Sequence, residues 1–343
     1  MSESPGRHKR RPRYSGRNPR HFAEKYKEHA PERYAEEVAK VLASGKTPVG
    51  THRPIMVREV LQVLAPRAGE IAVDCTIGYG GHAHALLMAI QPGGHLIGLD
   101  IDPIELPKTE ARLRQLGFGP ESFTAHRTNF AGLAKVLPEP ADLILADLGL
   151  SSMQIDNPAR GFTYKYDAPL DLRMNPRRGQ PASALLASLD PETLATLLIE
   201  NSDEPNAEPL AREILKTPIA TTTGLAATIR KAGRDDDSVR RVFQALRIAV
   251  NDEFGALDAF LRNIPMCLKP GGRVAILTFH SGEDRRVKKA FQSGERDGTY
   301  AEIAHEALRP APDEVRANPR SRSAKLRWAR RAIAAIIEAE GQP

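Results

Sequence analysis

Three aspartates close three apolar runs in the first half of the chain. They are Asp74 after Ile71-Ala72-Val73, Asp100 after Leu96-Ile97-Gly98-Leu99, and Asp147 after Leu143-Ile144-Leu145-Ala146. A carboxylate at the end of a buried strand is an acceptor held at a fixed point, suited to cations, sugar hydroxyls or N–H donors. Between the first two lies Gly78-Tyr79-Gly80-Gly81-His82. Glycines after a strand permit a sharp turn and let backbone amides approach a ligand at the next helix N-terminus. Gly78 to Ala83 also satisfies the dinucleotide pattern GxGxxA, so the loop alone leaves the nucleotide open. Asp74, four residues before Gly78, is unfavourable beside a pyrophosphate and favourable beside the ammonium of a methionine moiety. Asp100, 20 residues after Gly80, stands where an acid accepts both ribose hydroxyls. Together they point to S-adenosylmethionine in preference to NAD.

Asn129-Phe130 follows the third apolar run, a natural place to pack against or hydrogen-bond an adenine, and Lys269-Pro270-Gly271-Gly272-Arg273 introduces a later strand. With the two acids, these features resemble the class I methyltransferase pattern. The acceptor is read from Asp147-Leu148-Gly149-Leu150-Ser151-Ser152. Methylation of a pyrimidine ring carbon needs a cysteine nucleophile, and Cys75 and Cys267 lie within a strand and a helix, away from this segment. An exocyclic amino group is a poor nucleophile because its lone pair is delocalised into the ring. An acceptor that bonds its N–H draws that lone pair out of conjugation and helps remove the proton. Asp147 is the candidate; the alternative is that it orients the loop or contacts the cofactor only. Phe162, Tyr164 and Tyr166 alternate with Arg160 and Lys165. That pattern fits either a splayed base with its phosphates or a strand with one packed face. His82 and His84 have no third ligand nearby, so no metal is expected; His82 is expected to line the cofactor site through its backbone N–H.

These residues need a scaffold, and the surrounding pattern supplies alternating strands and helices. Helices are expected at Val57–Leu64, His82–Ile90 and Ile104–Leu116, and strands at Ile71–Cys75, His95–Leu99, Phe123–Arg127 and Asp142–Ala146. That order predicts an α/β fold with a doubly wound, largely parallel sheet. The next strong strand is Arg273–Phe279, preceded by a crossover helix at Asp252–Leu268. Residues 153–248 exceed what a crossover requires. They read as helices at Leu185–Leu189, Pro191–Glu200, Ala207–Leu215, Thr223–Ala232 and Ser238–Val250. An insertion there lies beside the carboxyl ends of the strands, where open α/β sheets bind ligands. The expected organisation is a Rossmann-like methyltransferase domain at 31–152 and 249–331, interrupted by a helical substrate-recognition domain at 153–248 and followed by a tail at 332–343.

The 343 residues are 41% hydrophobic and 27% charged, ordinary for a globular protein. No apolar run approaches the ~20 residues of a membrane span. Two cysteines cannot build a disulfide framework, which fits the cytoplasm. Residues 1–20 carry seven Lys/Arg and one acid, so they hold all of the net charge of +6. Residues 1–30 read as a disordered basic arm, either a nucleic-acid contact or a solvated tail, and Pro31–Ser44 reads as a helix. Prolines and glycines within the arm disfavour a transit peptide. The oligomeric state stays open.

Longer segments carry a closer resemblance. They include His52-Arg53-Pro54-Ile55-Met56, Gly78-Tyr79-Gly80-Gly81-His82, Leu99-Asp100-Ile101-Asp102-Pro103, Asp147-Leu148-Gly149-Leu150-Ser151-Ser152 and Arg160-Gly161-Phe162. Pro169-Leu170-Asp171-Leu172-Arg173-Met174, Phe243-Gln244-Ala245-Leu246-Arg247-Ile248-Ala249-Val250-Asn251, Phe279-His280-Ser281, Glu283-Asp284-Arg285 and Asn318-Pro319-Arg320 follow in order. The chain resembles the bacterial small-subunit rRNA cytosine-N4 methyltransferase family, RsmH (also called MraW), from about residue 52 to 331. It departs from the family pattern at Met153, at Glu200–Glu208, at Asp236–Arg241 and at Gly282. The resemblance implies S-adenosylmethionine bound at Gly80, Gly81, His82, Asp100, Phe130, Asp147 and Gln154, with Gly78 in the same loop. It implies as substrate the N4 atom of cytidine 1402 in 16S rRNA; whether that RNA is free or assembled in the small ribosomal subunit stays open. The rivals are a DNA or other RNA amino-methyltransferase, a non-catalytic cofactor-binding assembly factor and, more distantly, an NAD-dependent dehydrogenase. A DNA enzyme would usually carry Pro-Pro-aromatic where Leu148-Gly149-Leu150 stands.

Overall fold

A computed structural model describes residues 54–333. The basic arm, the expected helix Pro31–Ser44, His52-Arg53 and the tail beyond residue 333 lie outside the described residues. The chain enters through α1 (Val57–Leu64), then β1 (Ile71–Asp74), α2 (Gly81–Ile90), β2 (His95–Asp100), α3 (Glu105–Gln115) and β3 (Phe123–Arg127). The short α4 (Leu133–Val136) leads to β4 (Ala141–Asp147) and α5 (Ser152–Asp156). Five helices follow: α6 (Ala182–Ser188), α7 (Pro191–Ser202), α8 (Ala207–Ile214), α9 (Thr222–Lys231) and α10 (Asp236–Asn251). The chain then runs through α11 (Glu253–Cys267), β5 (Leu268–Thr278), α12 (Ser281–Arg296), β6 (Tyr300–Ile303), α13 (Pro312–Ala317) and β7 (Lys325–Arg331).

The seven strands form one sheet in the order β3-β2-β1-β4-β5-β7-β6. β1 to β5 pair in parallel, and β7 is antiparallel to both β5 and β6. The expected α/β class and largely parallel sheet are therefore present. Strand alternation divides the apolar residues between two cores. Val73, Ile144, Ala146, Val274 and Ile276 face one side with Phe260 and Phe291. Ala72, Leu143, Leu145, Ala275 and Leu277 face the other with Leu64, Leu86 and Leu113. Burial on both faces is why these strands read as continuous apolar runs in the sequence.

The five helices α6 to α10 share a third core. Along α10, Val239, Val242, Phe243 and Leu246 recur at helical spacing and are buried, while the Asp235 side chain caps the helix by accepting from Ser238 N. Asp190 caps α7 in the same way, with Pro191 at its first position. The expected strand Arg273–Phe279 begins earlier, at Leu268, because the Lys269–Gly272 stretch is drawn into β5 across an irregularity opposite Ala141 and Leu143. The strands β6 and β7 and helix α12 have no counterpart in the pattern reading. β7 carries Arg327 and Arg330, charges that mask the period of a strand. No described helix is long and apolar enough to cross a membrane.

Candidate functional site

β1 sits where the strand order reverses, with β2 on one side and β4 on the other. Asp74 pairs with Gly98 and with Leu145, so Asp100 and Asp147 each stand two residues farther along. At ~3.3 Å per residue they flank the crevice roughly 7 Å beyond Asp74. Three carboxylates thus converge on the switch point where open α/β sheets bind ligands.

The glycine loop is tied to the sheet and to α3. Thr76 N donates to Asp74 Oδ1 at 3.1 Å, and Gly78 N donates to Asp100 Oδ2 at 2.9 Å. Gly80 adopts φ +85°, and a Cβ there would meet Thr109 Cγ2 at 2.9 Å. Glycine is required at this position by backbone conformation and by close packing. The amides of Gly78 and Gly80 are used internally, by Asp100 and by Ile77 O. The first turn of α2 has no side-chain cap, which leaves the N–H groups of Gly81 and His82 for an acceptor.

Burial pushes the Asp74 carboxyl up to about 7, with the His82 charge opposing that rise and Asp147 and Asp100 adding to it. Burial likewise lifts Asp147 to about 7, with Glu283 adding to the rise. Asp100 is raised to about 6 by burial, against the amides of Asp102 and Gly78. Asp74 Oδ2 and Asp147 Oδ1 are buried and have no hydrogen-bond partner among the described residues. The Asp74 oxygen fits a cationic group bearing N–H donors, the chemistry of the ammonium end of S-adenosylmethionine, and the Asp147 oxygen is left for a second N–H donor. Such a ligand holds Asp74 and Asp100 ionised, so its binding releases protons. Cofactor affinity is therefore expected to strengthen as pH rises through 6 to 7 and to level off above. Calorimetry in buffers of different ionisation enthalpy measures this directly. Binding without net proton release would contradict it.

Around Asp147 the structure adds groups that sequence reasoning missed. Asp147 N donates to Thr76 Oγ1 at 2.6 Å, fixing the strand end. The His82 ring is buried, and its Nε2 lies 2.9 Å from Ile55 O. A carbonyl only accepts, so Nε2 carries the hydrogen and Nδ1 faces Asp147 Oδ2 at 3.5 Å. Burial lowers the His82 imidazole below its ordinary value, against the pull of Asp74. His82 thus faces the site with its side chain as well as its backbone.

Glu253, His280 and Glu283 bring ligand atoms within 4.8 Å of one another. Arg247 forks onto Glu253 at 2.8 and 2.9 Å, so one of the two carboxylates carries its own counter-charge. Burial alone would raise Glu283, but the hydrogen bond and charge of His280, then Arg247, hold it below the ordinary range. The segments Arg247–Asn251 and Phe279–Glu283 stood out in the sequence only through the family resemblance; neither shows a chemical pattern of its own.

Phe130 is half-buried and meets Phe260 edge-on at 5.3 Å, while Asn129 spends its side-chain oxygen on Ala131 N. Gln154 lies behind the Asp100 turn. Its amide donates to Asp102 Oδ2 at 2.8 Å and its carbonyl closes a capping box with Ser151. The aromatic run resolves into different roles and forms no strand. Phe162 is core, and Tyr164 packs on Phe243 at 5.3 Å with Arg230 over its ring. Only Tyr166 is largely exposed. A three-ring base-stacking platform is not what these residues build.

The comparisons with known proteins agree with this architecture. Residues 50–332 match the MraW methylase family. A Lachnoclostridium phytofermentans protein named ribosomal RNA small subunit methyltransferase H 1 is 47% identical, over 94% of this chain and 93% of its own. Ribosomal RNA small subunit methyltransferase H 2 of Alkaliphilus metalliredigens is 48% identical, over 96% of this chain and 99% of its own. The Agathobacter rectalis protein named ribosomal RNA small subunit methyltransferase H 1 is 46% identical, over 97% of this chain and 100% of its own.

Proposed function

The chain belongs to the MraW methylase family, and from that membership and the site's geometry we propose that it methylates small-subunit rRNA at the N4 amino group of a cytidine. It is an S-adenosylmethionine-dependent rRNA methyltransferase, and we assign as its target cytidine 1402 of 16S rRNA, methylated on the assembled small subunit in the cytoplasm. The observation that carries the choice of atom is Asp147 Oδ1, a buried acceptor at the end of β4 without a hydrogen-bond partner among the described residues.

S-adenosylmethionine, when bound, supplies an electrophilic methyl group for an in-line displacement. The protein's part is positioning and proton handling. Asp74 receives the ammonium, the N–H groups of Gly81 and His82 receive the carboxylate, and Asp100 accepts the ribose hydroxyls. Phe130 borders the adenine. Gln154 supports the Asp100 turn through Asp102. Asp147 accepts a hydrogen bond from the target amino group, drawing its lone pair out of the ring, and takes up the proton released as the nitrogen gains its methyl group. The helices of residues 153–248 form the substrate-recognition domain beside this opening. Incubating the purified protein with labelled cofactor and unmodified small subunits tests the reading. Label in N4-methylcytidine is expected, and label in another nucleoside would overturn the choice of atom.

The arm, residues 1–20, is proposed to contact RNA phosphates, since it holds the entire net charge of +6. Deleting residues 2–22 is expected to weaken substrate binding at low salt and to flatten the slope of log affinity against log salt. An identical slope in both proteins would leave the arm a passive tail.

A further inference from the structure

We propose that Arg160 is a positioning residue that makes cofactor binding and ordering of the loop at residues 160–174 a single event; the proposal rests on the reading of Asp100 as the ribose acceptor. Asp102 is fully buried and stands two residues beyond Asp100. Its N–H donates to Asp100 Oδ1 at 2.8 Å, so its backbone sets the ribose acceptor. Its Oδ1 accepts from Ile104 N at 2.8 Å at the start of α3. Its Oδ2 takes both Gln154 Nε2 and Arg160 Nη1, each at 2.8 Å.

Arg160 is itself 6% exposed and reaches in two directions. Nη1 holds Asp102, while Nη2 holds Met174 O at 2.7 Å and Arg173 O at 3.3 Å. A planar fork with fixed donors spans two partners as one rigid unit. The loop it grips is close-fitting and strained. A Cβ on Gly161 would lie 2.5 Å from Pro169 O and 2.8 Å from Asp171 N, and Leu172 is held at φ +64°. Non-glycine residues hold such a conformation only where their surroundings impose it. Asn251, the last residue of α10, imposes it here: its Nδ2 donates to Leu172 O at 2.8 Å and its Oδ1 accepts from Met174 N at 2.7 Å.

A continuous chain of polar contacts, buried at Asp102 and part-buried at its ends, therefore runs from the ribose acceptor through Asp102 and Arg160 to the 172–174 turn and the end of α10. Ribose hydroxyls on Asp100 draw that carboxylate, and with it the Asp102 backbone, into one position. Asp102 Oδ2 then stands where Arg160 meets it and Met174 together. By reciprocity, anything that orders the 172–174 turn tightens the cofactor. The segment Pro169–Met174, which stood out in the sequence only through the family resemblance, acquires a role, and Arg160 acquires one other than the phosphate contact its alternation with aromatics suggested.

Hydrogen exchange on the full chain, with and without S-adenosylhomocysteine, tests the proposal without any assay of activity. In the wild-type protein the cofactor product is expected to slow exchange across residues 169–174 by about tenfold. In Arg160→Met that response disappears and S-adenosylhomocysteine binds about tenfold more weakly. Because Arg160→Met leaves Asp102 buried without its cation, the double variant Asp102→Asn/Arg160→Met is the companion. It has no unpaired buried charge, keeps an oxygen for the start of α3, and still loses the response. A purely structural role would instead speed exchange equally with and without ligand. Undiminished slowing in the double variant, or bound ligand without slowing in the wild type, overturns the coupling. Failure of S-adenosylhomocysteine to bind the wild type at all would overturn the cofactor reading instead.

Discussion

Asp147→Asn is expected to lower the single-turnover methyl-transfer rate at saturating cofactor by about 10²–10³-fold, while cofactor affinity changes far less. Asparagine preserves the shape of the side chain, and Asp147 N keeps its bond to Thr76 Oγ1. What is lost is a negative acceptor at the buried Oδ1 position. The amide either presents N–H₂ to the target amine, a clash of donors, or presents a neutral oxygen that holds no released proton. Single-turnover kinetics separates this from a binding defect. Equal losses in rate and affinity would make Asp147 a cofactor ligand only, and a rate near wild type would remove it from the mechanism. In the wild type the rate is expected to rise with pH, because burial, with Glu283 adding to it, lifts the Asp147 carboxyl to about 7 and only its ionised form takes up the proton; a rate independent of pH between about 6 and 8 would contradict this.

The second large effect falls on cofactor affinity. Asp100→Ala is expected to cost roughly 2–4 kcal/mol in S-adenosylmethionine binding, for two charge-assisted hydrogen bonds to the ribose. The loss reaches beyond the direct contacts, since Asp100 also orders Gly78 N at 2.9 Å and Asp102 N at 2.8 Å. Asp100→Asn keeps an oxygen for one of those amides and should fall between wild type and alanine. Calorimetry giving the same affinity for Asp100→Ala as for wild type would remove the ribose from this position.

Much of this site is legible in the sequence because its residues close regular elements. Asp74, Asp100 and Asp147 end apolar strands, and a parallel sheet buried on both faces makes those strands visible as uninterrupted runs. Gly80 announces a backbone that no side chain could adopt beside Thr109. What stayed hidden depends on contacts between distant segments. The approach of His82 Nδ1 to Asp147 joins residues 65 positions apart, and the grip of Arg160 on Asp102 joins residues 58 apart; neither leaves a local period. Phe162 and Tyr164 alternate like a base-stacking surface, yet the core shared with Phe243 claims them: Phe162 is buried in it, and Tyr164, partly buried, packs on Phe243 of α10. β7 hid because its arginines answer to partners outside the strand: Arg327 pairs with Asp284 on α12 at 2.6 Å.

The central claim is the atom and the RNA that receive the methyl group. Mass analysis of nucleosides from small-subunit rRNA, prepared from cells with and without this gene, tests it most directly. Loss of N4-methylation at one cytidine, restored by the wild-type protein and not by Asp147→Asn, is the result predicted. An unchanged N4-methylcytidine content, or loss of a methyl group from any other atom, would contradict the account.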